Sequence, residues 1–269
     1  MASALSALEP RRIFITGASD GIGAALIRHY ARATPTSPIH FGLVARRSAA
    51  LEALAGTLPA HCHCHCYPLD VSDAAALAQA AQDFMAQAGL PDLVIANAGI
   101  SVGTLTEETD DLPAFARVMQ VNVLGMVHTF HPFVHAMRTA RRGQLVGIAS
   151  VAGVRGLPGA SAYSASKAAV IRYLESLRVE LHGSGVAVTT LLPGYIETNM
   201  TARNPYRMPF ILPVDEAARR LARLIERRVG YAVMPWPMAI VARLLQLLPN
   251  ALFDRIFARA GRKPRQLPL

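Results

Sequence analysis

A tyrosine and a lysine one helical turn apart, Tyr163 and Lys167, have the residue types and spacing for proton-transfer chemistry. On an α-helix, residues i and i+4 share a face, so the lysine ammonium would approach the tyrosine hydroxyl. A free phenol has a pKa of about 10, and bringing it to about 7 takes roughly 4 kcal/mol. One positive charge at about 4 Å, in an effective dielectric of about 20, supplies roughly that amount. The pair therefore predicts a tyrosine that exchanges a proton near neutral pH.

A glycine-rich turn lies far upstream, at residues 16–23, directly after the apolar run 13–15. Glycines allow a tight turn and a close approach of the backbone to a pyrophosphate, and the N-terminus of the following helix offers free amides. We therefore predict a dinucleotide site at the first strand–helix turn. Its predicted cofactor-binding residues are Gly17, Ser19, Asp20, Gly21, Ile22 and Gly23.

The elements that must position these residues alternate between strand-like and helix-like segments. The strands are continuously apolar, which indicates a parallel sheet covered on both faces. They are predicted at 13–15, 41–45, 62–69, 93–96, 144–149, 186–192 and 231–234. Helices are predicted at 21–33, 49–58, 74–88, 112–137 and 162–181. The sequence thus predicts an α/β fold with a three-layer, doubly wound parallel sheet, forming one catalytic domain over residues 1–234.

The glycine turn and the Tyr163–Lys167 pair, with other residues in a fixed order, resemble the single-domain branch of the short-chain dehydrogenase/reductase family. The other residues that carry the resemblance are Asn97, Ala98, Gly99, Asn122, Ser150, Pro193, Gly194 and Thr198. The resemblance covers about residues 11–200. It implies a Rossmann-type fold, a nicotinamide cofactor and transfer of a hydride between that cofactor and a ketone or secondary alcohol.

The resemblance also implies roles for four residues. Tyr163 would be the general acid/base, and Lys167 would lower the pKa of Tyr163 and bind the nicotinamide ribose. Ser150, at the end of the fifth strand, would polarise the carbonyl oxygen. Asn122, in the predicted helix 112–137, would hold a water that relays protons to Lys167.

Two arginines, Arg46 and Arg47, end the second strand, where NAD-preferring members of the family have Asp. Arginine accommodates a 2′-phosphate, so we expect NADP(H) to be favoured over NAD(H); Arg47 could instead be a solvated residue at the helix start. Asp70 and Val71 resemble the family's adenine-contacting pair, and the alternative for Asp70 is a helix N-cap. The remaining expected cofactor contacts are Asn97, Ala98, Gly99, Tyr163, Lys167, Pro193, Gly194, Ile196 and Thr198.

The distribution of charge is uneven. The formal net charge is +9, and the whole excess falls in residues 203–269. Lysine occurs only at Lys167 and Lys263, so a lysine in the catalytic position is informative. No apolar run approaches the roughly 20 residues of a membrane span, and residues 1–10 lack the pattern of a secretory signal. These features, with cysteines too close together for a disulfide framework, favour a cytoplasmic location.

Residues 61–66 alternate histidine and cysteine. Strand geometry would put the histidines on one face and the cysteines on the other, and no CxxC pair is present, so we expect buried cysteines and no metal site. A stripe of His128, His131 and His135 suits a polar interface between subunits. Because the helices after the fourth and fifth strands often pair in the resembling family, we expect a homodimer or homotetramer.

A lid at about 195–215 is expected to cover the substrate. Its run 204–213 is apolar, aromatic and rich in proline, with no carboxylate, which favours a lipophilic carbonyl or alcohol as substrate. Residues 235–269 are predicted to form a basic amphipathic tail with helical stretches at 239–248 and 250–260. Such a tail suits a membrane interface, and the alternative is packing over the substrate pocket or on a second subunit.

The leading hypothesis is an NADP(H)-dependent oxidoreductase acting on a lipophilic ketone or secondary alcohol. The alternative is an NADP(H)-binding regulator or scaffold without turnover, against which the intact set Asn122, Ser150, Tyr163 and Lys167 argues. A sugar-nucleotide epimerase or dehydratase of the family's extended branch would need a different glycine spacing and a larger C-terminal domain. No nucleic-acid partner is expected.

Overall fold

The central feature of the fold is one sheet of seven parallel strands, seen in a computed structural model that describes residues 11–33 and 37–265. The strands are β1 (Arg12–Thr16), β2 (Ile39–Ala45), β3 (Cys62–Pro68), β4 (Leu93–Ala96), β5 (Gln144–Ile148), β6 (Ala187–Pro193) and β7 (Tyr231–Met234). Their order is β3-β2-β1-β4-β5-β6-β7, which confirms the predicted doubly wound α/β fold. The strand order reverses between β1 and β4, and such sheets bind ligands at the carboxyl ends of the strands beside that reversal.

Helices cover both faces of the sheet. They are α1 (Gly21–Ala33), α2 (Ser48–Gly56), α3 (Ala74–Ala88), α4 (Leu112–Met119), α5 (Gly125–Ala140), α6 (Ser161–Glu180), α7 (Val214–Glu226), α8 (Trp236–Leu247) and α9 (Asn250–Phe257). Apolar side chains of α1, α2 and α7 form the core on one face, and those of α3, α5 and α6 form it on the other. These two cores make the three layers that the sequence predicts.

The segment predicted as one long helix, 112–137, is helical throughout but is not a single α-helix. A π-helical turn, Gln120–Leu124, separates α4 from α5. The spacing of apolar residues does not reveal such a turn, because it widens the helix by only one residue. The turn contains the buried Asn122, so the interruption falls at a predicted site residue.

Helix α7 was not predicted, although the sequence contains its signals. Asp215 and Glu216 lie in its first turn, where acidic side chains favour a helix start. Ala218, Leu221 and Ile225 are buried at helical spacing against α1. The helix therefore completes the core on the sheet face that α1 and α2 cover.

The alternating tract forms the edge strand β3 and divides its side chains between two faces, as predicted. The three cysteines pack against the core but are only half-buried, because β3 has a neighbouring strand on one side alone. Burial raises the pKa of the Cys64 thiol to about 12. On the other face the rings of His63 and His65 stack on His40, with centres 4.7 and 5.8 Å apart. In the described parts of the chain, no group of three or more His, Cys, Asp or Glu side chains is arranged to hold a metal ion.

The tail helices α8 and α9 are fastened to the domain by Arg155. Its guanidinium donates hydrogen bonds to the carbonyls of Leu245 (3.0 Å) and Leu248 (2.9 Å), and it stacks 4.2 Å from the ring centre of Phe253. Among the described helices, none has the length and apolar character needed to cross a bilayer. The expectation made for residues 1–10 lies outside the described residues.

Candidate active site

The glycine turn is held by contacts that exclude larger residues. Gly17 has a φ of +68°, and a Cβ there would lie 2.7 Å from Nδ2 of Asn97. A Cβ on Gly23 would collide with the carbonyl oxygen of Gly17. Asn97 braces the turn, because its Nδ2 donates to the carbonyls of Thr16 (3.1 Å) and Gly17 (3.2 Å). Asn97, which follows the neighbouring strand β4, therefore fixes the backbone conformation of the turn between β1 and α1.

A cleft of about 390 Å³ opens in front of this turn, at the carboxyl ends of β1, β2, β4 and β5. Every residue predicted to bind the cofactor lines it, apart from Gly23, which packs behind the turn. The predicted residues in its wall are Gly17, Ser19, Asp20, Gly21, Ile22, Arg46, Arg47, Asp70, Val71, Asn97, Ala98, Gly99, Tyr163, Lys167, Pro193, Gly194, Ile196 and Thr198. Residues far apart in sequence thus meet at one edge of the sheet.

Two groups of charged residues lie in the cleft. Arg46 and Arg47 are exposed at its wall, and Nη2 of Arg47 reaches Ser19 of the glycine turn at 3.4 Å. Arg117, which the sequence analysis did not identify, forms an ion pair with Asp70. Burial would raise the pKa of Asp70, but hydrogen bonds from Ser72 and the Arg117 guanidinium together hold it below its ordinary value.

The N-cap of α3, which was the alternative predicted role for Asp70, is a different residue. Asp73 is the N-cap of α3, and its carboxylate accepts a hydrogen bond from the amide of Ala76 at 2.9 Å. Asp70 instead accepts from the Ser72 amide and hydroxyl at 2.9 and 2.7 Å. The Asp70 carboxylate is therefore held in the wall of the cleft by its own loop and by Arg117.

Ser150, Tyr163 and Lys167 converge at the inner end of the cleft. Ser150 follows β5, while Tyr163 and Lys167 lie on α6. The Nζ atom of Lys167 donates to the carbonyl of Ile148 at 2.9 Å and lies 5.8 Å from the ring centre of Tyr163. The three side chains are thus brought together as the sequence predicts.

Burial acts on the pKa values of both Tyr163 and Lys167, and the effect of Lys167 on Tyr163 stays a prediction. Burial raises the pKa of Tyr163 above its ordinary value, and a hydrogen bond with Ser150 only partly opposes this. Burial also lowers the pKa of Lys167 to about 8, so the ammonium remains its main form at neutral pH. Both shifts arise because burial disfavours the charged form of each group, a cost that the estimate from one charge at short distance omitted.

Asn122 is buried in the π-helical turn, and its side-chain amide is used by other protein groups. Its Oδ1 accepts from the amide of Ile100 at 2.8 Å, and its Nδ2 donates to the Ile100 carbonyl (3.0 Å) and to Ser166 Oγ (2.9 Å). The expected role of Asn122 in holding a water that relays protons to Lys167 stays a prediction. Asn122 ties the loop after β4 to helix α6, which carries Tyr163 and Lys167.

A second cavity, of about 480 Å³, lies on the other side of Ser150 and Tyr163. Its wall is mostly apolar and comes from the loop after β5 with the start of α6, from the predicted lid and from the tail. The lid contributes Tyr195, Met200, Asn204, Tyr206 and Pro209, and the tail contributes Met238, Val241, Leu245, Phe257, Ala260, Gly261 and Lys263. The inner face of the tail thus packs over this cavity, which is one of the two alternatives considered for it.

The outer face of the tail is exposed and apolar. Trp236, Ile240, Leu244 and Leu247 form a stripe along α8, and Leu252 and Ile256 extend it on α9. Trp236 is 71% exposed and Leu247 is 67% exposed. The two faces of one short segment therefore have different surroundings: one closes the second cavity and the other meets solvent.

Comparison with known proteins assigns the family. A family model described as short chain dehydrogenase matches residues 11–207. An uncharacterized oxidoreductase of Myxococcus xanthus (strain DK1622) is 36% identical over 251 residues, covering 93% of this chain and 97% of that protein. A protein named 11-beta-hydroxysteroid dehydrogenase-like 2 from Arabidopsis thaliana is 32% identical over 259 residues, covering 91% and 81%.

A solved structure shares both sequence and fold. A short-chain dehydrogenase from Sphingobium yanoikuyae in complex with NADPH is similar with a TM-score of 0.74 and 26% identity, covering 89% of this chain and 97% of that one. The chain therefore belongs to the short-chain dehydrogenase family, as its motifs indicate. It is an NAD(P)-dependent oxidoreductase of that family.

Proposed function

We propose that the protein transfers a hydride between NADP(H) and a lipophilic ketone or secondary alcohol, with Tyr163 as general acid/base. One observation carries this proposal: Ser150 and Tyr163 form the boundary between the 390 Å³ cleft and the 480 Å³ cavity, and both residues line both spaces. A cofactor in the first space and a substrate in the second would meet at these two hydroxyls. The region 1–234 would act as the catalytic domain and 235–269 as its C-terminal cover.

The nicotinamide cofactor, when bound, supplies the hydride for reduction or accepts it in oxidation. In the direction of reduction, Tyr163 gives its hydroxyl proton to the carbonyl oxygen, and Ser150 donates a hydrogen bond to the same oxygen. Lys167 stabilises the phenolate that remains until a proton is returned from solvent. Asn122 keeps the loop after β4 and helix α6 in register, which positions these groups.

NADP(H) is the proposed cofactor because the ribose end of the cleft carries positive charge. Arg46 and Arg47 follow β2 at the position where a carboxylate would select the 2′-hydroxyl of NAD. A guanidinium there favours a 2′-phosphate through charge-assisted hydrogen bonds. The NADPH complex of the Sphingobium yanoikuyae relative supports the same choice.

A lipophilic substrate is supported by the cavity and by a relative. Met238, Val241, Leu245 and Phe257 contribute apolar wall on the tail side. The Arabidopsis thaliana relative, 32% identical, has a name that refers to a steroid dehydrogenase.

The test of the proposed function is NADPH consumption against ketones of graded chain length. We expect kcat/KM to rise with chain length, because each buried methylene contributes about 0.8 kcal/mol. The matched variant Tyr163→Phe should bind NADPH equally and turn over none of the series. NADPH binding without turnover of any ketone or secondary alcohol would support the regulator alternative, and rates independent of chain length would contradict the lipophilic substrate.

We also propose that the exposed stripe of the tail contacts an anionic lipid surface. Trp236, Ile240, Leu244 and Leu247 project from one side of α8, and Arg243 is exposed on the same side. Arg255 and Arg259 are exposed beside the apolar residues of α9. An apolar helix face flanked by cations matches the polarity of an acidic bilayer interface. The whole net charge of +9 lies in the same C-terminal quarter of the chain.

Trp236 is the single tryptophan of the chain and reports on this contact directly. We expect its fluorescence to shift to shorter wavelength with vesicles containing phosphatidylserine, and less so at high salt. Ile240→Ser combined with Leu244→Ser should remove the shift, whereas Leu112→Ser, at an exposed leucine of α4, should retain it. An unchanged spectrum with vesicles would overturn the proposal, and self-association that the double variant abolishes would assign the stripe to a second copy of the chain.

We propose a homodimer or homotetramer that uses helices α5 and α6. His131 and His135 on α5 and Val179 on α6 are exposed, and Val179 is 64% exposed. Val179→Arg should shift the mass measured by light scattering toward the monomer. An unchanged mass would show that Val179 is not part of the interface.

A further inference from the structure

The second lysine of the chain lies in the proposed substrate cavity beside the proposed catalytic tyrosine. Nζ of Lys263 is 5.3 Å from the ring centre of Tyr163 and donates to Ser101 Oγ at 2.6 Å. Lys263 lines the 480 Å³ cavity together with Ser150 and Tyr163. Sequence analysis placed Lys263 only among the cations of the tail, because nothing in its neighbourhood indicates a contact with residue 163.

The segment that carries Lys263 is held in place by several specific contacts. We call residues 261–265 the C-terminal strap. The amide of Gly103 donates to the carbonyl of Pro264 at 2.7 Å, and a Cβ on Gly103 would collide with the carbonyl oxygen of Lys263. Arg265 forms ion pairs with Glu108 (3.0 Å) and with the buried carboxylate of Asp111 (2.8 Å). The position of Lys263 is therefore built into the fold.

Among the described residues, Ser101 Oγ is the one side-chain acceptor of the Lys263 ammonium. An ammonium has three N–H donors, and the hydroxyl of Ser101 accepts one of them. None of the ion pairs among the described residues involves Lys263, although its strap neighbour Arg265 has two acidic partners. Burial lowers the pKa of Lys263 to about 8, which reflects the cost of desolvating a cation. An anionic group on a ligand would supply a further acceptor.

The geometry favours a carboxylate over a larger anion. Ser101 Oγ holds the Lys263 ammonium in the cavity wall, and the remaining N–H donors of this one ammonium match the oxygens of a single carboxylate. A dianionic phosphate would call for more positive charge than one ammonium. Arg155 and Arg207 also line the cavity; the guanidinium of Arg155 is committed to the carbonyls of α8, and Arg207 is exposed.

We propose that Lys263 is a substrate-binding residue that recognises a carboxylate a few bonds away from the reacting carbon, so that the substrate is an amphipathic oxo acid or hydroxy acid. The carboxylate lies at the strap, the reacting carbon lies at Tyr163, and the apolar remainder runs along Met238, Val241 and Leu245. This inference rests on the proposed function and narrows its substrate class.

The test compares an apolar oxo acid with its methyl ester, using NADPH, in the wild-type protein and in Lys263→Met. We expect kcat/KM for the acid to fall about tenfold or more in the variant, because a charge-assisted hydrogen bond is lost, with little change for the ester. Lys263→Arg should recover part of the loss. The matched control is Arg262→Met, which removes a cation from the adjacent strap position and should leave both substrates unaffected.

A binding measurement separates this inference from the proposed function. Calorimetric titration of the NADP⁺-loaded protein with a long-chain carboxylic acid that cannot be reduced requires no turnover. Binding by the wild type and about tenfold weaker binding by Lys263→Met would support the role of Lys263 even if no carbonyl were reduced. Equal losses for acid and ester in the kinetic comparison, or equal affinity of wild type and variant for the acid, would overturn it.

Discussion

The two spaces that meet at Tyr163 are built in different ways. The cofactor cleft depends on backbone geometry: Gly17 and Gly23 are packed so closely that no side chain fits, and Asn97 holds the turn from β4. The substrate cavity depends on side chains from the lid and the tail. A site defined by backbone requires particular small residues at fixed spacing, whereas a site defined by packed side chains tolerates many sequences. The cofactor cleft can therefore be predicted from a sequence motif, and the substrate cavity cannot.

The same contrast holds for charge. The cofactor cleft presents exposed arginines, Arg46 and Arg47, at its wall. The substrate cavity places one largely buried ammonium, Lys263, beside Tyr163. Exposed cations recognise a solvated phosphate at modest cost, while a buried cation contributes strongly only when the ligand provides its partner. Cofactor choice and substrate choice should therefore respond to different substitutions.

The largest expected effect comes from the residue shared by the two spaces. Tyr163→Phe removes the proton donor and should lower kcat by about 10³-fold or more, since general acid catalysis contributes roughly 10²–10⁴-fold. NADPH affinity, measured by quenching of Trp236 fluorescence or by calorimetry, should change little. A variant that retained the wild-type kcat would refute the role of Tyr163 and leave the boundary between the spaces without a chemical function.

A smaller effect is expected at the cofactor side alone. Arg46→Asp should reduce the ratio of kcat/KM for NADPH to that for NADH by about 10–100-fold, because a carboxylate replaces a charge-assisted partner of the 2′-phosphate. Arg47→Asp tests the alternative that this residue is merely solvated. Arg138→Asp, at an exposed arginine of α5, controls for the change in net charge. An unchanged preference in both Arg46→Asp and Arg47→Asp would show that the cleft selects its cofactor elsewhere.

Prediction from sequence succeeded where local pattern determines structure. The parallel strands, the flanking helices other than α7, and the converging set Ser150, Tyr163 and Lys167 follow from apolar runs and motif spacing. It failed at the π-helical turn, because a widening by one residue leaves the apolar pattern intact. It also failed for Arg117 and Lys263, whose contacts with Asp70 and Ser101 join distant segments. Sequence spacing carries no information about such pairings.

The substrate cavity can also be disturbed without changing any charged residue. Gly103→Ala places a Cβ against the carbonyl of Lys263 and should displace the strap, with a loss of stability of about 1–3 kcal/mol. Selectivity for an oxo acid over its ester should fall about tenfold, as in Lys263→Met, while NADPH affinity is retained. Gly156→Ala is the matched control, because a Cβ there meets nothing within 4 Å. Full acid selectivity in Gly103→Ala would mean that the strap does not position Lys263.

The smallest expected effect is a dependence of selectivity on pH. The pKa of Lys263 is lowered to about 8, so its ammonium is present below that pH and is lost as the pH rises through it. Lys263 faces Tyr163 and Ser101, and Lys167 lies beyond Tyr163 on the side of the cofactor cleft. The pKa of Lys167 is also lowered to about 8. Tyr163 and Lys167 act on the acid and the ester alike. Their contribution therefore cancels in the ratio of kcat/KM for the acid to kcat/KM for the ester. The ratio should fall several-fold between about pH 7 and about pH 9 in the wild type and stay constant in Lys263→Met. A ratio that declines equally in both proteins would assign the titration to the shared catalytic groups and leave Lys263 without a part in substrate choice.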